Sequence, residues 1–209
     1  MAYRPTEKTE ARKKSQHQLL LRSALTVVSR GGFNALTIMA VAEEAKVATG
    51  TVYRYFDSKT ALCAEIFRLA SAREVQKVKE AAFPESFSSC KQHLLDAIAT
   101  FADRAIQGHR FAYALIAEPV GPVIEAERLI YRKQYAEIFG ALITEGIQTR
   151  EFRPQNSAIS ASALVGALAE TLVGPLGLGA SELAGYDQQQ LIRSIQSFCL
   201  NAVISSAQA

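Results

Sequence analysis

Apolar residues recur every three to four positions along most of the chain, which is the spacing of one face of an α-helix. The first such stripe lies within residues 14–30, and the Gly31-Gly32 pair after it predicts the end of that helix. Thr37 is the predicted N-cap of a short helix over residues 38–45, with Asn34 in the turn before it. After the tight turn Lys46-Val47-Ala48, a third helix is expected from about Thr49 to Tyr55.

The rest of the chain also has the helical pattern. A long helix is predicted from the Asp57-Ser58-Lys59 segment, with Ser58 as N-cap, to about Ala82. Further helices are predicted over residues 88–107, 111–117, 125–149, 157–173 and 188–205, with a glycine-rich loop at 174–179. No sustained alternation of polar and apolar residues indicates a strand. The expected fold class is therefore all-α.

The predicted helices divide into a small N-terminal domain and a larger one. Residues 1–57 form a head with an N-terminal arm and three helices, and residues 58–209 form a helical body. The second and third helices of the head, joined by three residues, have the helix-turn-helix geometry by which a second helix enters the major groove of DNA.

Charge is distributed unevenly between these two parts. Residues 1–56 contain nine Lys or Arg and four acidic residues, a net charge of +5, whereas the remainder carries −2 of the overall +3. A basic head on a slightly acidic body is typical of a phosphate-binding domain fused to another domain. A solvated basic tail is the alternative reading.

Cysteine usage and the apolar segments indicate the compartment. Cys63, Cys90 and Cys199 lie far apart and are odd in number, so neither a disulfide framework nor a zinc site is expected and a reducing cytoplasm fits. The first residues lack the apolar core of a signal peptide, so export is not indicated. The segment 161–180 has the length of a membrane span, but its Ala and Gly content, with Glu170 and Pro175, favours a packed interface helix.

Residues 32–62 resemble the N-terminal domain of the TetR family. The matching stretches keep every spacing of that domain: Gly32-Phe33-Asn34-Ala35-Leu36-Thr37-Ile38, Ala40-Val41-Ala42, Ala45-Lys46-Val47-Ala48-Thr49-Gly50-Thr51-Val52-Tyr53-Arg54-Tyr55-Phe56 and Ser58-Lys59-Thr60-Ala61-Leu62. The resemblance implies a three-helix head, a body of five or six helices whose last two form a four-helix dimer interface, and a repressor of transcription.

The same resemblance implies the DNA contacts. Thr37 and Lys59 are expected at phosphates, since each opens a helix. The expected base or groove contacts are Thr49, Gly50, Thr51 and Tyr53, with Tyr55 and Arg54 as further contacts. Val52 and Phe56 are expected to point inward. Packing in the core is the alternative for Tyr53 and Tyr55, and a solvated charge is the alternative for Arg54.

A basic arm precedes the first predicted helix. It holds Arg4, Lys8, Arg12, Lys13 and Lys14. Such arms add phosphate or minor-groove contacts, and a disordered solubilising tail is the alternative.

The body is expected to hold a ligand pocket and a dimer interface. Aromatic residues of the middle helices are the pocket candidates: Phe67, Phe101, Phe111, Tyr113, Tyr131, Tyr135 and Phe139. Core packing is the alternative for each, and about half are expected to line a cavity. Arg104, His93 and Glu170 are candidates to orient a polar group or to form internal pairs. The predicted interface residues are Gly166, Ile192, Ile195, Phe198 and Ala202.

Enzymatic chemistry has little support in the sequence. The three His form no metal-binding spacing, no nucleophile motif is found, and Gly174-Pro-Leu-Gly-Leu-Gly179 lacks the following Lys and Thr of a phosphate loop. No cofactor or metal is expected. The expected partners are operator DNA, a second copy of the chain and an apolar or aromatic small-molecule effector. The serious alternative is an architectural DNA-binding protein that has no effector and needs no pocket.

Overall fold

The structure is a computed structural model that describes residues 7–86, 88–177, 185 and 187–204, and every regular element within these residues is an α-helix. The helices, in chain order, are α1 (Glu7–Ala35), α2 (Ile38–Glu44), α3 (Thr49–Tyr53), α4 (Lys59–Ala82), α5 (Cys90–Gln107), α6 (His109–Ile116), α7 (Pro122–Gln148), α8 (Ser157–Gly177) and α9 (Gln188–Val203). This confirms the all-α class. We call α1–α3 the head and α4–α9 the body.

Helix starts follow the predicted caps. The hydroxyl of Thr37 accepts a hydrogen bond from the Ala40 N–H at 3.0 Å, and that of Ser58 accepts one from the Ala61 N–H at 3.1 Å. The chain leaves helical geometry at Gly32, whose φ of 70° belongs to the left-handed region that glycine adopts without strain. The Gly31-Gly32 pair was thus identified correctly as the point where the first helix breaks.

The observed start of α1 corrects the prediction of a basic arm before the first helix. The helix begins at Glu7 rather than near Lys14, so Lys8, Arg12 and Lys13 lie on a helix and not on an extended tail. Periodicity missed the two turns before Lys14 because nearly all of their residues are polar and most are exposed, although helix geometry extends through them. Arg4 lies outside the described residues.

Several other boundaries also differ from the prediction. α7 begins at Pro122, where the missing N–H of proline has no helical partner to lose, and α6 begins at His109. α8 continues through Gly174 and Pro175 to Gly177, where a loop was predicted, and residues 178–179 of that loop lie outside the described part. α3 ends at Tyr53, two residues earlier than predicted.

Two apolar clusters form the core, and α4 contributes to both. The head cluster includes Leu20, Leu36 and Val52 together with the first two turns of α4, from Leu62 to Phe67. The body cluster takes Val75, Val78 and Ala82 from the far end of the same helix. The hydrophobic core of the head therefore extends beyond residue 57 and couples the two parts through one continuous helix.

Within the described residues, α8 is long and apolar enough by composition to span a membrane. It packs in the body instead, with seven residues buried against the other helices: Ala161, Leu164, Val165, Leu168, Ala169, Leu172 and Leu176. This arrangement agrees with the packed helix expected from its Ala and Gly content.

Candidate functional site

The turn between α2 and α3 sets the direction of α3. Lys46 adopts a left-handed φ of 55°, and the N–H of Val47 donates to the Ala42 carbonyl at 2.9 Å, which closes the end of α2. Val52 and Phe56 are 0 and 2% exposed and anchor the far side of α3 in the head core. The first turn of α3 is therefore held outward on a fixed support, and the expectation for Val52 and Phe56 is correct.

The residues expected at DNA mostly lie on this outward surface. Thr37, Thr49, Gly50, Tyr53, Arg54 and Lys59 are exposed, and Thr51 and Tyr55 are half-buried. A Cβ added at Gly50 would meet no atom within 4 Å. We call these eight residues the head surface.

The two tyrosines of the head surface have different environments. Tyr53 is 56% exposed, which excludes core packing for its side chain in this chain. Tyr55 stacks on His17 of α1 with ring centroids 5.9 Å apart, and His17 Nε2 lies 3.2 Å from the Glu65 carboxylate. Tyr55 is thereby held by α1 and α4, with part of the side chain left accessible.

Basic groups of the head differ in whether an acidic partner holds them. Arg30 pairs with Glu44 at 2.8 Å, and Lys13 lies 3.5 Å from Glu10. Among the described residues, Lys46 and Lys59 have no ion-pair partner within 4.0 Å. Arg54 donates to the Thr51 hydroxyl at 3.3 Å, so it is oriented along α3 without being neutralised. The head surface retains positive charge that is available to an anionic partner.

A cavity of about 370 Å³ lies in the body between α4, α5, α6, α7 and α8. Its aromatic wall is formed by Phe67, Phe101, Phe111, Tyr131 and Tyr135. These five were among the aromatic candidates. Tyr113 and Phe139 were also candidates, and both are wrong for this cavity, since Phe139 is fully buried in the body core and Tyr113 packs against that core beside Gly177.

Polar groups line part of the cavity. Arg104 forms a two-pronged pair with Glu74, Nε to Oε2 at 2.5 Å and Nη2 to Oε1 at 2.8 Å, which is the internal pair expected for Arg104. Burial, aided by the nearby Glu74 carboxylate, raises the pKa of the Tyr135 phenol, so it remains protonated. His93 and Glu170 do not line this cavity.

Three further guanidinium groups line the same cavity. Arg73 and Arg132 are exposed and, in the part of the chain described here, have no ion-pair partner within 4.0 Å. Arg128 is buried, and desolvation lowers its pKa. It donates to three main-chain carbonyls, those of Ala114, Leu115 and Glu118, and pairs with Glu125. The cavity thus joins an apolar wall to an edge that carries several arginines.

Sequence reasoning missed Arg128 and Glu118. Glu118 is 5% exposed and accepts hydrogen bonds from the backbone of α1, 85 residues earlier in the chain. No local pattern predicts the contact between Glu118 and the Phe33 N–H, because Glu118 and Phe33 each lie at the end of an ordinary amphipathic segment.

The predicted interface residues fall into two groups. Gly166, Ala202 and Phe198 are exposed, Phe198 by 63%, whereas Ile192 and Ile195 are 9 and 4% exposed and belong to the body core. The two isoleucines are therefore on the inward side of α9, because the wide apolar stripe of this helix faces its own chain. Within the described residues, no three His, Cys, Asp or Glu side chains come close enough to hold a metal ion.

The family model for bacterial regulatory proteins of the tetR family matches residues 20–66. The HTH-type transcriptional repressor KstR of Rhodococcus jostii is 42% identical over 65 residues, which is 31% of this chain and 29% of that protein. This match therefore spans less than a third of the relative's length and is confined to one part of it.

Longer similarities are weaker in sequence. The fatty acid metabolism regulator protein of Bacillus subtilis is 23% identical over 143 residues, 68% of this chain and 73% of that protein. Among solved structures, the transcriptional regulator FadR from Bacillus subtilis in complex with stearoyl-CoA has a TM-score of 0.74 at 20% identity, covering 89% of this chain and 98% of that one. FadR from Bacillus halodurans gives 0.74 at 19% identity, covering 88 and 94%. These structures share the fold over 88 to 89% of this chain.

Proposed function

We propose that the chain is a member of the TetR family of bacterial regulatory proteins, whose family model matches residues 20–66, and that it is a dimeric repressor that holds a roughly palindromic operator and leaves it when a small molecule enters the body cavity. The family and the fold are those of transcription regulators and not of enzymes. The protein acts in the cytoplasm, where its three buried, unpaired cysteines suit a reducing environment. One observation carries the proposal: α3 turns Thr49, Gly50 and Tyr53 outward while Val52 fixes its other side.

The head surface has the two kinds of group that DNA recognition needs. Lys59 is an exposed cation at the start of α4 that forms no ion pair within the described residues, and it would neutralise a phosphate irrespective of sequence. Thr51 and Tyr53 offer hydroxyl and apolar groups to base edges. The absence of a side chain at Gly50 lets the backbone of α3 approach the floor of the groove. We therefore assign the phosphate contact to Lys59 and the recognition of base edges to Thr51 and Tyr53.

The test is a selection of genomic fragments on the purified chain, followed by affinity measurements over a range of salt concentrations. Lys59→Ala should weaken binding to all sequences alike and make the plot of log affinity against log salt shallower by about 0.9. Thr51→Ala and Tyr53→Ala should also relax the sequence preference. Lys133→Ala, which removes an exposed lysine from α7, is the matched control and should change neither. A chain that retains no fragment in a salt-dependent manner would refute the proposal.

The proposed dimer face lies on α8 and α9. Gly166, Ala163 and Ala202 are exposed small residues that permit close helix approach, and Phe198 and Ile159 are exposed by 63 and 68%. Large apolar side chains exposed beside small ones are typical of a surface that another subunit covers. A second copy is the proposed occupant, since two such helix pairs complete a four-helix bundle and twofold symmetry matches a palindromic operator.

The proposed effector is apolar or aromatic over most of its length and anionic at one end. The aromatic wall of the cavity supports the apolar part, and Arg73 and Arg132, which form no ion pair with any described residue, support the anionic end. A solved protein of the same fold is described with stearoyl-CoA, which has an acyl chain and phosphates. We therefore take acyl thioesters of coenzyme A as the first probes.

Titration calorimetry with stearoyl-CoA, stearic acid and free coenzyme A separates these contributions. The thioester should bind more tightly than free coenzyme A, and replacing both Arg73 and Arg132 by Ala should weaken the thioester about tenfold or more, as expected when charge-assisted contacts are lost. Lys133→Ala again serves as the control. A body that gives no thermal shift with these probes or with a broad compound set would favour the architectural DNA-binding protein instead.

A further inference from the structure

A buried carboxylate joins the body to the head at the break in α1. The Glu118 side chain accepts a hydrogen bond from the Phe33 N–H at 2.8 Å through one oxygen and from the Asn34 N–H at 2.9 Å through the other. Both donors follow Gly32, where the chain departs from helical geometry and these N–H groups lose their helical acceptors. The carboxylate replaces those acceptors and so fixes the turn that leads into α2.

The backbone at Gly32 leaves no room for a side chain beside the Glu118 carboxylate. With its φ of 70°, a Cβ at residue 32 would lie 2.5 Å from Glu118 Oε2 and 2.9 Å from Cδ. Any larger residue would strain the backbone and displace the carboxylate together. The contact between Glu118 and the Phe33 and Asn34 amides therefore depends on a glycine at residue 32, both for its positive φ and for its lack of a side chain.

Arg128 holds the segment that carries Glu118. Its Nη2 donates to the Glu118 carbonyl at 2.8 Å and its Nε to the Leu115 carbonyl at 2.9 Å, at the end of α6 where carbonyls lack helical donors. The same guanidinium lines the cavity and lies 5.9 Å from the centre of the Phe67 ring. One side chain thus touches both the effector space and the support of the head.

We propose that Arg128 and Glu118 form a latch that reports occupancy of the cavity to the DNA-binding head. This inference rests on the proposed function, and it adds a connection between body and head that is separate from α4, the helix shared by the two apolar clusters. An effector that offers Arg128 a carbonyl or phosphate oxygen, or that crowds Phe67, draws the guanidinium from the α6 carbonyls. The segment with Glu118 then shifts, the Phe33 and Asn34 amides are released, and α2 and α3 lose their fixed orientation.

Amide hydrogen exchange of the full chain, without DNA or effector, tests the latch. Arg128→Met should speed exchange at Phe33 and Asn34 by about tenfold or more, the scale of losing hydrogen bonds to a charged group, although Arg128 contacts neither residue. Arg104→Met is the matched control, because Arg104 lines the same cavity and, among the described residues, its guanidinium hydrogen-bonds to Glu74 and not to the segment that carries Glu118. Unchanged exchange in Arg128→Met, or equal acceleration in Arg104→Met, would overturn the proposal.

A second set of variants removes the dependence on one substitution. Glu118→Ala and Gly32→Ala should each accelerate exchange at the same amides, and Arg128→Met should add nothing further in a Glu118→Ala background. Additive effects in the double variant would mean that the two residues act separately and would refute the latch. On the operator selected above, Arg128→Met should bind at least tenfold more weakly than Arg104→Met. If no operator exists, the proposed function fails while the exchange result still decides whether the latch is present.

Discussion

Gly50→Ala is expected to stabilise the protein and to weaken its binding to DNA. Glycine in a helix costs about 1 kcal/mol relative to alanine, and Gly50 stands in the first turn of α3, where we expect about half of this. No atom lies within 4 Å of the added Cβ, so no steric term opposes the gain. The free energy of unfolding should therefore rise by about 0.5 kcal/mol.

The same methyl group would stand between α3 and the bases. If the backbone at Gly50 approaches the groove floor, the methyl forces a separation that breaks neighbouring contacts, each worth about 1 to 3 kcal/mol. The dissociation constant should then rise tenfold or more, since about 1.4 kcal/mol corresponds to a factor of ten. Gly50→Ala should therefore increase stability while it decreases DNA affinity, whereas replacing a glycine that the fold requires should decrease stability.

Urea denaturation at one fixed protein concentration and fluorescence anisotropy with the selected operator measure the two quantities. Gly140→Ala is the control, because its Cβ would have ordinary contact with Ala161 Cβ at 3.7 Å in the body. That variant should gain stability and retain affinity. Wild-type or tighter DNA binding by Gly50→Ala would show that α3 does not enter the groove as proposed.

Three further outcomes are expected. Gly146→Ala should lower the free energy of unfolding by about 1 to 3 kcal/mol, measured in urea, because its Cβ would lie 2.5 Å from Phe152 Cε2 in the core. Phe198→Asp should sediment as a folded monomer, and a folded dimer of this variant would contradict the dimer face, whereas Ile195→Asp should lose about 4 kcal/mol or more of stability by burying a charge. Burial raises the pKa of Cys199 to about 11, so iodoacetamide at pH 8 should label it at least a hundredfold more slowly in the native chain than in urea.

The three helices of the head and the caps of α2 and α4 were predicted from the sequence because their signals are local. Thr37 and Ser58 are caps whose partners lie three residues away, and the inward direction of Val52 and Phe56 follows from helical period alone. The start of α1 was missed because a helix continues through polar residues that leave no apolar stripe.

The body was predicted less completely. The helical spacing of apolar residues shows which side of a helix faces the protein interior, but it does not show whether that side packs in a core or lines a cavity. Tyr135 and Phe139 are four residues apart on α7, yet only Tyr135 lines the cavity. Where neighbouring helices diverge depends on all of their side chains together. The contact of Glu118 with Phe33 likewise joins distant residues and has no signature in either segment.

Because α4 is shared by both apolar clusters, recombination between regulators of this architecture is constrained. A chimera joined at residue 57 would graft a foreign head onto Leu62, Ile66 and Phe67, which complete the native head core. A crossover placed after Phe67 keeps these partners together, but it still leaves Ala114 and Ile124 to be matched, because both pack on the head cluster from the body. Exchange of effector specificity between such proteins is therefore expected to succeed only when the α6 and α7 contacts travel with the head.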